Sequence, residues 1–123
     1  MKAIPILKVT SIKTSHRFYS MIGFNQTFLY RPDPDSTDPA YAGYEFNGAT
    51  IHLSSHFGDS TFGCAVFLWC DSVDEIYDRL SPDVHESIVL LPTDQSWGNR
   101  EMYLKDPDGN SIRFSSQISH TDL

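Results

Sequence analysis

Five histidines, two cysteines and sixteen carboxylates are the groups in this 123-residue chain from which a reaction centre would have to be built. His16, His52, His56, His85 and His120 are the available imidazoles, and their spacing sets no pair of them as an acid–base dyad. A divalent metal requires three or four nitrogen, oxygen or sulfur donors brought together, and no HExxH motif supplies them. GxSxG and phosphate-loop motifs are also absent. Cys64 and Cys70 lie six residues apart in one apolar run. On a strand their Cα atoms would stand about 20 Å apart, out of disulfide reach. Two free thiols fit a reduced, cytoplasmic setting. These residue types favour binding over catalysis.

Aromatic residues, 13% of the chain, offer the stronger chemistry. Trp97 sits in the polar run Asp94-Gln95-Ser96-Trp97-Gly98-Asn99, where a large ring is costly to expose unless it covers something. It either stacks on a ligand or folds back over a sheet. Arg100 and Glu101 follow it, as a strand-edge pair or as ligand contacts. A net charge of −7 argues against nucleic acid and anionic membranes and suits a cationic ligand. Asp33, Asp35 and Asp38 add charge in a proline-rich loop, either as solvated loop charge, the favoured reading, or to attract a cation at the cleft mouth. No apolar run approaches the roughly 20 residues of a membrane helix. The N-terminus does not read as a signal peptide.

The elements that position these residues occur twice. Shifting the sequence by 61 places Val9-Thr10-Ser11-Ile12 on Cys70-Asp71-Ser72-Val73, and Gly48 to Ser54 on Gly109 to Ser115. In the first half, Ala3 to Val9 reads as a strand, confined to an edge by Pro5. Ser11 caps a helix whose face is Ile12, Ser15, Tyr19 and Ile22, with Phe18 beside it, and Gly23 stops it. Phe24 to Tyr30, Tyr41 to Phe46 and Ala49 to Ser55 read as strands. The last two are joined by the hairpin signal Asn47-Gly48. In the second half the strands are Ala65 to Cys70, Ser87 to Pro92, Glu101 to Lys105 and Ser111 to Ser115. The helix opens on the capping box Ser72-Val73-Asp74-Glu75, presents Val73, Ile76, Tyr77 and Leu80, and ends at Ser81-Pro82-Asp83. The tail beyond Gln117 reads as frayed. The fold class is α+β: two tandem βαβββ modules, 1–60 and 61–123, form one structural domain with a curved mixed sheet around a cleft.

This order, the 61-residue offset and the turn Asp106-Pro107-Asp108-Gly109-Asn110 resemble the vicinal-oxygen-chelate superfamily of glyoxalases, extradiol dioxygenases and bleomycin-resistance proteins. Ile4-Pro5-Ile6-Leu7, Tyr41-Ala42-Gly43, Val73 to Tyr77 and Trp97 to Glu101 are most similar to the bleomycin-resistance branch. The resemblance implies metal-ligand positions near Ile4, His52, Ala65 and Arg113. Of these only His52 is a suitable donor, so neither a metal nor any other cofactor is expected. It also implies a groove in which Trp97 and Tyr41 stack on a flat ligand, and a homodimer in which the first strand is exchanged between chains. The expected ligand contacts are therefore Tyr41, His52, Trp97, Arg100 and Arg113. The expected partners are a planar aromatic or cationic small molecule and a second copy of the chain. The competing readings are a metal-dependent lyase, isomerase or dioxygenase working near His52, and a ligand-sensing module.

Overall fold

The computed structural model describes residues 1–118, so His120 and most of the tail expected to fray lie outside the described residues. The first four strands are β1 (Ile6–Lys8), β2 (Asn25–Tyr30), β3 (Tyr41–Phe46) and β4 (Ala49–Ser54), with helix α1 (Ile12–Ile22) after β1. The second set is β5 (Ala65–Trp69), β6 (Ile88–Asp94), β7 (Asn99–Lys105) and β8 (Ser111–Gln117), with α2 (Val73–Arg79) after β5. Each set forms its own four-stranded mixed sheet, ordered β1-β4-β3-β2 and β5-β8-β7-β6. The pairs β1–β4 and β5–β8 are parallel and the others antiparallel. The doubled βαβββ order read from the repeat is therefore the order of the fold.

The helices form where their caps and apolar spacing put them. Ser11 accepts a hydrogen bond from the Thr14 amide, and Ile12, Ser15, Phe18, Tyr19 and Ile22 are buried. Gly23 ends the helix at φ +130°, and its amide donates to the Tyr19 carbonyl. Ser72 caps α2 by accepting from the Glu75 amide, and Val73 and Ile76 point inward. The chain departs from expectation after Leu80. Instead of passing directly into a strand it makes a 3-10 helix, Pro82–Ser87, which buries Val84. Pro82 at its start fixes φ and lacks only an amide that would be unbonded there anyway. Other strand limits shift too: β1 is shorter, and β7 begins at Asn99, taking in Arg100.

One apolar core lies between the sheets and their helices, and it includes Leu7, Tyr19, Tyr44, Leu53, Met102, Ile112 and Phe114. The rings of Phe46 and Phe114 meet at 6.3 Å across the two halves. The Asp-Pro-Asp-Gly-Asn turn is a structural fastener. Buried Asp106 accepts from the Tyr19 hydroxyl at 2.8 Å, the Asp108 amide at 2.9 Å, the Asn110 amide at 2.8 Å and the Asn110 side-chain amide at 2.9 Å. Asn110 also donates to the Lys8 carbonyl, and its oxygen accepts from the Cys64 amide. Asp108 binds the amide and hydroxyl of Thr10. The turn thus bonds β8's entry to α1, β1 and the start of β5. Among the described residues, no helix is long and apolar enough to cross a membrane.

Candidate functional site

Each sheet gives one face to the core and leaves the other open. Alternation along the strands decides which residues stand there, since paired residues on neighbouring strands share a face. In the first sheet one open-face row runs Ile6, His52, Gly43, Phe28, and the next pairs Ser54, Tyr41 and Tyr30. In the second sheet the rows are Phe67, Arg113, Tyr103, Leu90 and Trp69, Ser115, Glu101, Thr93. Ile6, Phe28, Tyr30, Phe67 and Trp69 remain exposed large hydrophobic residues in the single chain.

On the first sheet, Gly43 shapes the site. A Cβ there would stand 2.7 Å from Phe28 Cδ1 and 2.7 Å from Thr27 Oγ1, and closer still to Phe28 Cε1. The missing side chain lets the Phe28 ring lie across the strand. It stacks on Tyr41 at 6.1 Å and 14° and meets His52 edge-on at 5.2 Å. The Tyr41 hydroxyl is 2.8 Å from His52 Nδ1. Burial pushes the His52 imidazole below its ordinary pKa. Burial and then Asp59 push the Tyr41 phenol above its own. Both groups are thus neutral near pH 7. With Nδ1 in contact with the Tyr41 hydroxyl, His52 Nε2 is the ring nitrogen left without a side-chain partner.

On the second sheet, Glu101 is the organising group. It is 3% exposed and accepts from the hydroxyl of Tyr103, from Ser115 Oγ at 2.9 Å and from Trp97 Nε1 at 3.4 Å. Burial alone would raise its pKa, but donors from Tyr103, Ser115, Trp97 and Asn99 outweigh that and hold the carboxyl below its usual range. Trp97 lies in the β6–β7 turn, tethered through its indole nitrogen, and the residue is 63% exposed. Of the two alternatives for Trp97, the structure has the residue folded back over the sheet, and it remains exposed. Phe67 and Trp69 stack beside it on β5 at 6.1 Å and 16°. The Arg113 guanidinium lies 4.7 Å from the Tyr103 ring centroid.

The fold thus brings Tyr41 and His52 together on one open face and Trp97 and Arg113 together on the other. Arg100 joins neither. Its guanidinium pairs with Asp74 of α2 at 3.0 Å and with Asp94 at 3.0 Å, on the helix side of the sheet. The sequence reading also missed Phe28, Phe67 and Trp69, and assigned Glu101 no site role. Gly43 in mid-strand was the one available signal of a close approach.

Strand register shows what stands beside His52 and Arg113, the two suspected metal positions on β4 and β8. Parallel hydrogen bonding sets Ile6, not Ile4, beside His52, with the His52 amide donating to the Pro5 carbonyl. It sets Phe67, not Ala65, beside Arg113. The repeat relates the modules correctly but does not fix register between strands inside each. Ile6 and Phe67 offer no donor, Arg113 is cationic, and His52 Nδ1 is engaged by Tyr41. Among the described residues no three His, Cys, Asp or Glu side chains gather around a point. This donor set does not fit a divalent metal.

Comparison with known proteins agrees with this architecture. A family model described as "Glyoxalase superfamily protein" matches residues 1–121. Bleomycin resistance proteins of Geobacillus stearothermophilus and Staphylococcus aureus are each 26% identical over 135 residues, spanning 96% of this chain and 98% of theirs. The crystal structure of a bleomycin-binding protein complexed with bleomycin has a TM-score of 0.68 at 22% identity, covering 95% of this chain and 98% of that one. A glyoxalase-related enzyme from Clostridium phytofermentans gives 0.74 at 19% identity, covering 96% and 95%. At these identities the structural likeness is one of fold.

Proposed function

The chain belongs to the glyoxalase superfamily, and we propose that it is a metal-independent binding protein of the bleomycin-resistance type. It holds a planar aromatic or cationic molecule between the open sheet faces of a homodimer. The observation that carries this reading is Trp97, anchored by Glu101 yet 63% exposed over a face already lined by Trp69 and Phe67. A ring fixed in place and left uncovered is pre-organised for stacking, so little entropy is lost when a ligand covers it. The first sheet offers the matching wall in Phe28 and Tyr41, with His52 Nε2 as a polar contact.

A homodimer accounts for the exposed apolar rows, because the first sheet of one copy closes over the second sheet of the other. In the single chain β1 pairs with its own β4. In an exchanged dimer the partner's strand takes that place. The net charge of −7 raises the local concentration of a cationic ligand. A lyase, isomerase or dioxygenase reading is disfavoured by the donor set at His52, Ile6, Phe67 and Arg113.

Calorimetric titration with bleomycin and with an acridine cation tests the proposal. Removing one aromatic wall by Trp97→Ala should weaken binding about tenfold, the equivalent of about 1.4 kcal/mol. Tyr41→Ala should act in the same direction. Unchanged affinity in Trp97→Ala, or a protein that sediments only as a monomer, contradicts the proposal.

A further inference from the structure

A pocket of about 370 Å³ opens at the β5 edge of the second sheet, with neither Trp97 nor Arg113 in its lining. It lies between the tip of the β3–β4 hairpin and the segment running from β5 into α2. Phe46, Leu68, Ile76 and Phe114 form its apolar interior, and Asp71 and Glu75 stand on its lining. Leu68 and Phe114 belong to the helix-covered face, and Trp69, at the end of edge strand β5, is the one lining residue shared with the open face.

The charge around it is one-sided, since no Lys, Arg or His contributes to the lining. The base that reaches α2, Arg100, is held by Asp74 and Asp94. Among the described residues, Asp71 and Glu75 have no ion-pair partner. The Ser72 hydroxyl caps α2 by accepting from the Glu75 amide, and among the described residues the Glu75 carboxylate has no hydrogen-bond partner. The volume falls in the range of small-molecule sites, and aromatic walls beneath carboxylates are the environment that an amine on a hydrophobic group requires.

We propose that this pocket is a second ligand site, selective for a small hydrophobic ammonium compound whose apolar part packs against Phe46, Leu68 and Ile76 and whose charge stays at Asp71 and Glu75. It is independent of the open-face reading. The two halves of the chain each contribute a wall, so occupancy would also clamp the β3–β4 hairpin against α2.

The test is an amide chemical-shift titration of the full chain with three isosteric probes: 2-phenylethylammonium, 2-phenylethanol and phenylacetate. The ammonium should shift Phe46, Leu68, Glu75 and Ile76 saturably, and bind about fivefold more tightly than the alcohol, as expected for partly solvated charges. Phenylacetate should bind weakest. The double variant Asp71→Asn with Glu75→Gln should abolish the preference for the ammonium while retaining the alcohol and bleomycin. Ala49→Leu, which fills the pocket, should weaken all three probes. The proposal is overturned if phenylacetate equals the ammonium, if the shifts centre on Tyr41, His52 or Trp97, if the double variant keeps the preference, or if no probe binds at millimolar concentration. Loss of bleomycin binding in Trp97→Ala alone would concern only the open face.

Discussion

Replacing Gly43 by alanine should reverse its effect on stability according to what residue 28 is. In the native sequence the new Cβ meets Phe28 Cδ1 and Thr27 Oγ1 at 2.7 Å. The Thr27 hydroxyl can rotate away. The Phe28 ring must move by about 1 Å, since close packing leaves no smaller adjustment. That breaks the stack on Tyr41 and the edge contact with His52. Two aromatic pairs are worth roughly 1–3 kcal/mol, and the partial exposure of Phe28 roughly halves this. Against it, removing a glycine restricts the unfolded chain and contributes about 0.4–1 kcal/mol in favour of folding. The net expectation is a small loss, about 0.3 kcal/mol at the middle of these ranges and at most about 1 kcal/mol. With Phe28→Ala already present there is nothing to displace, and Gly43→Ala becomes neutral or stabilising by about 0.5 kcal/mol. Urea unfolding of the four proteins in the double-mutant cycle measures the coupling. Equal cost of Gly43→Ala in both backgrounds would refute the role assigned to this glycine.

Other substitutions probe the fastener and the second sheet. Asp106→Ala leaves four donors from Tyr19, Asp108 and Asn110 without their acceptor, and should cost about 3–4 kcal/mol in denaturant unfolding; a loss below about 1 kcal/mol would contradict the bonding described. Glu101 has a folded pKa below its ordinary 4.5, so its stabilisation is present above that pH and disappears as pH falls through the folded value. Stability measured from pH 6 downward should therefore fall less steeply in Glu101→Gln than in the native protein, and parallel curves would count against the hydrogen-bond assignment. Arg100→Ala, which breaks exposed ion pairs with Asp74 and Asp94, should cost less than about 1 kcal/mol and leave bleomycin affinity within a factor of about two; a larger loss of affinity would return Arg100 to the site.

The local elements were legible because their signals are local. Ser11 and Ser72 cap the helices, Gly23 ends the first, and the spacing of Ile12, Ser15, Tyr19 and Ile22 marks the buried face. The repeat carried the module order, which no single segment encodes. What depends on pairing between distant strands was not legible. Placing Ile6 beside His52 and Phe67 beside Arg113 follows from parallel register, and a 61-residue offset is blind to it. Glu101 was read as a neighbour of Trp97 in sequence. Its convergence with Ser115 and Tyr103 arises only when β7 pairs with β8. Arg100 left the expected site for a similar reason. Strand alternation turns it away from Glu101, toward Asp74 on a helix that ends some twenty residues earlier. The Pro82–Ser87 helix carried a proline signal that reads equally well as a stop.

The most direct test of the central claim uses the chain with Trp69→Phe, which leaves Trp97 as its single tryptophan. Bleomycin is titrated while indole emission is followed and stoichiometry is read from calorimetry on the same sample. Stacking on Trp97 should quench its emission saturably, at one ligand per chain and with the calorimetric dissociation constant. Heat of binding with the Trp97 emission unchanged, or no binding at all, would contradict the claim that this anchored ring is the wall of the ligand site.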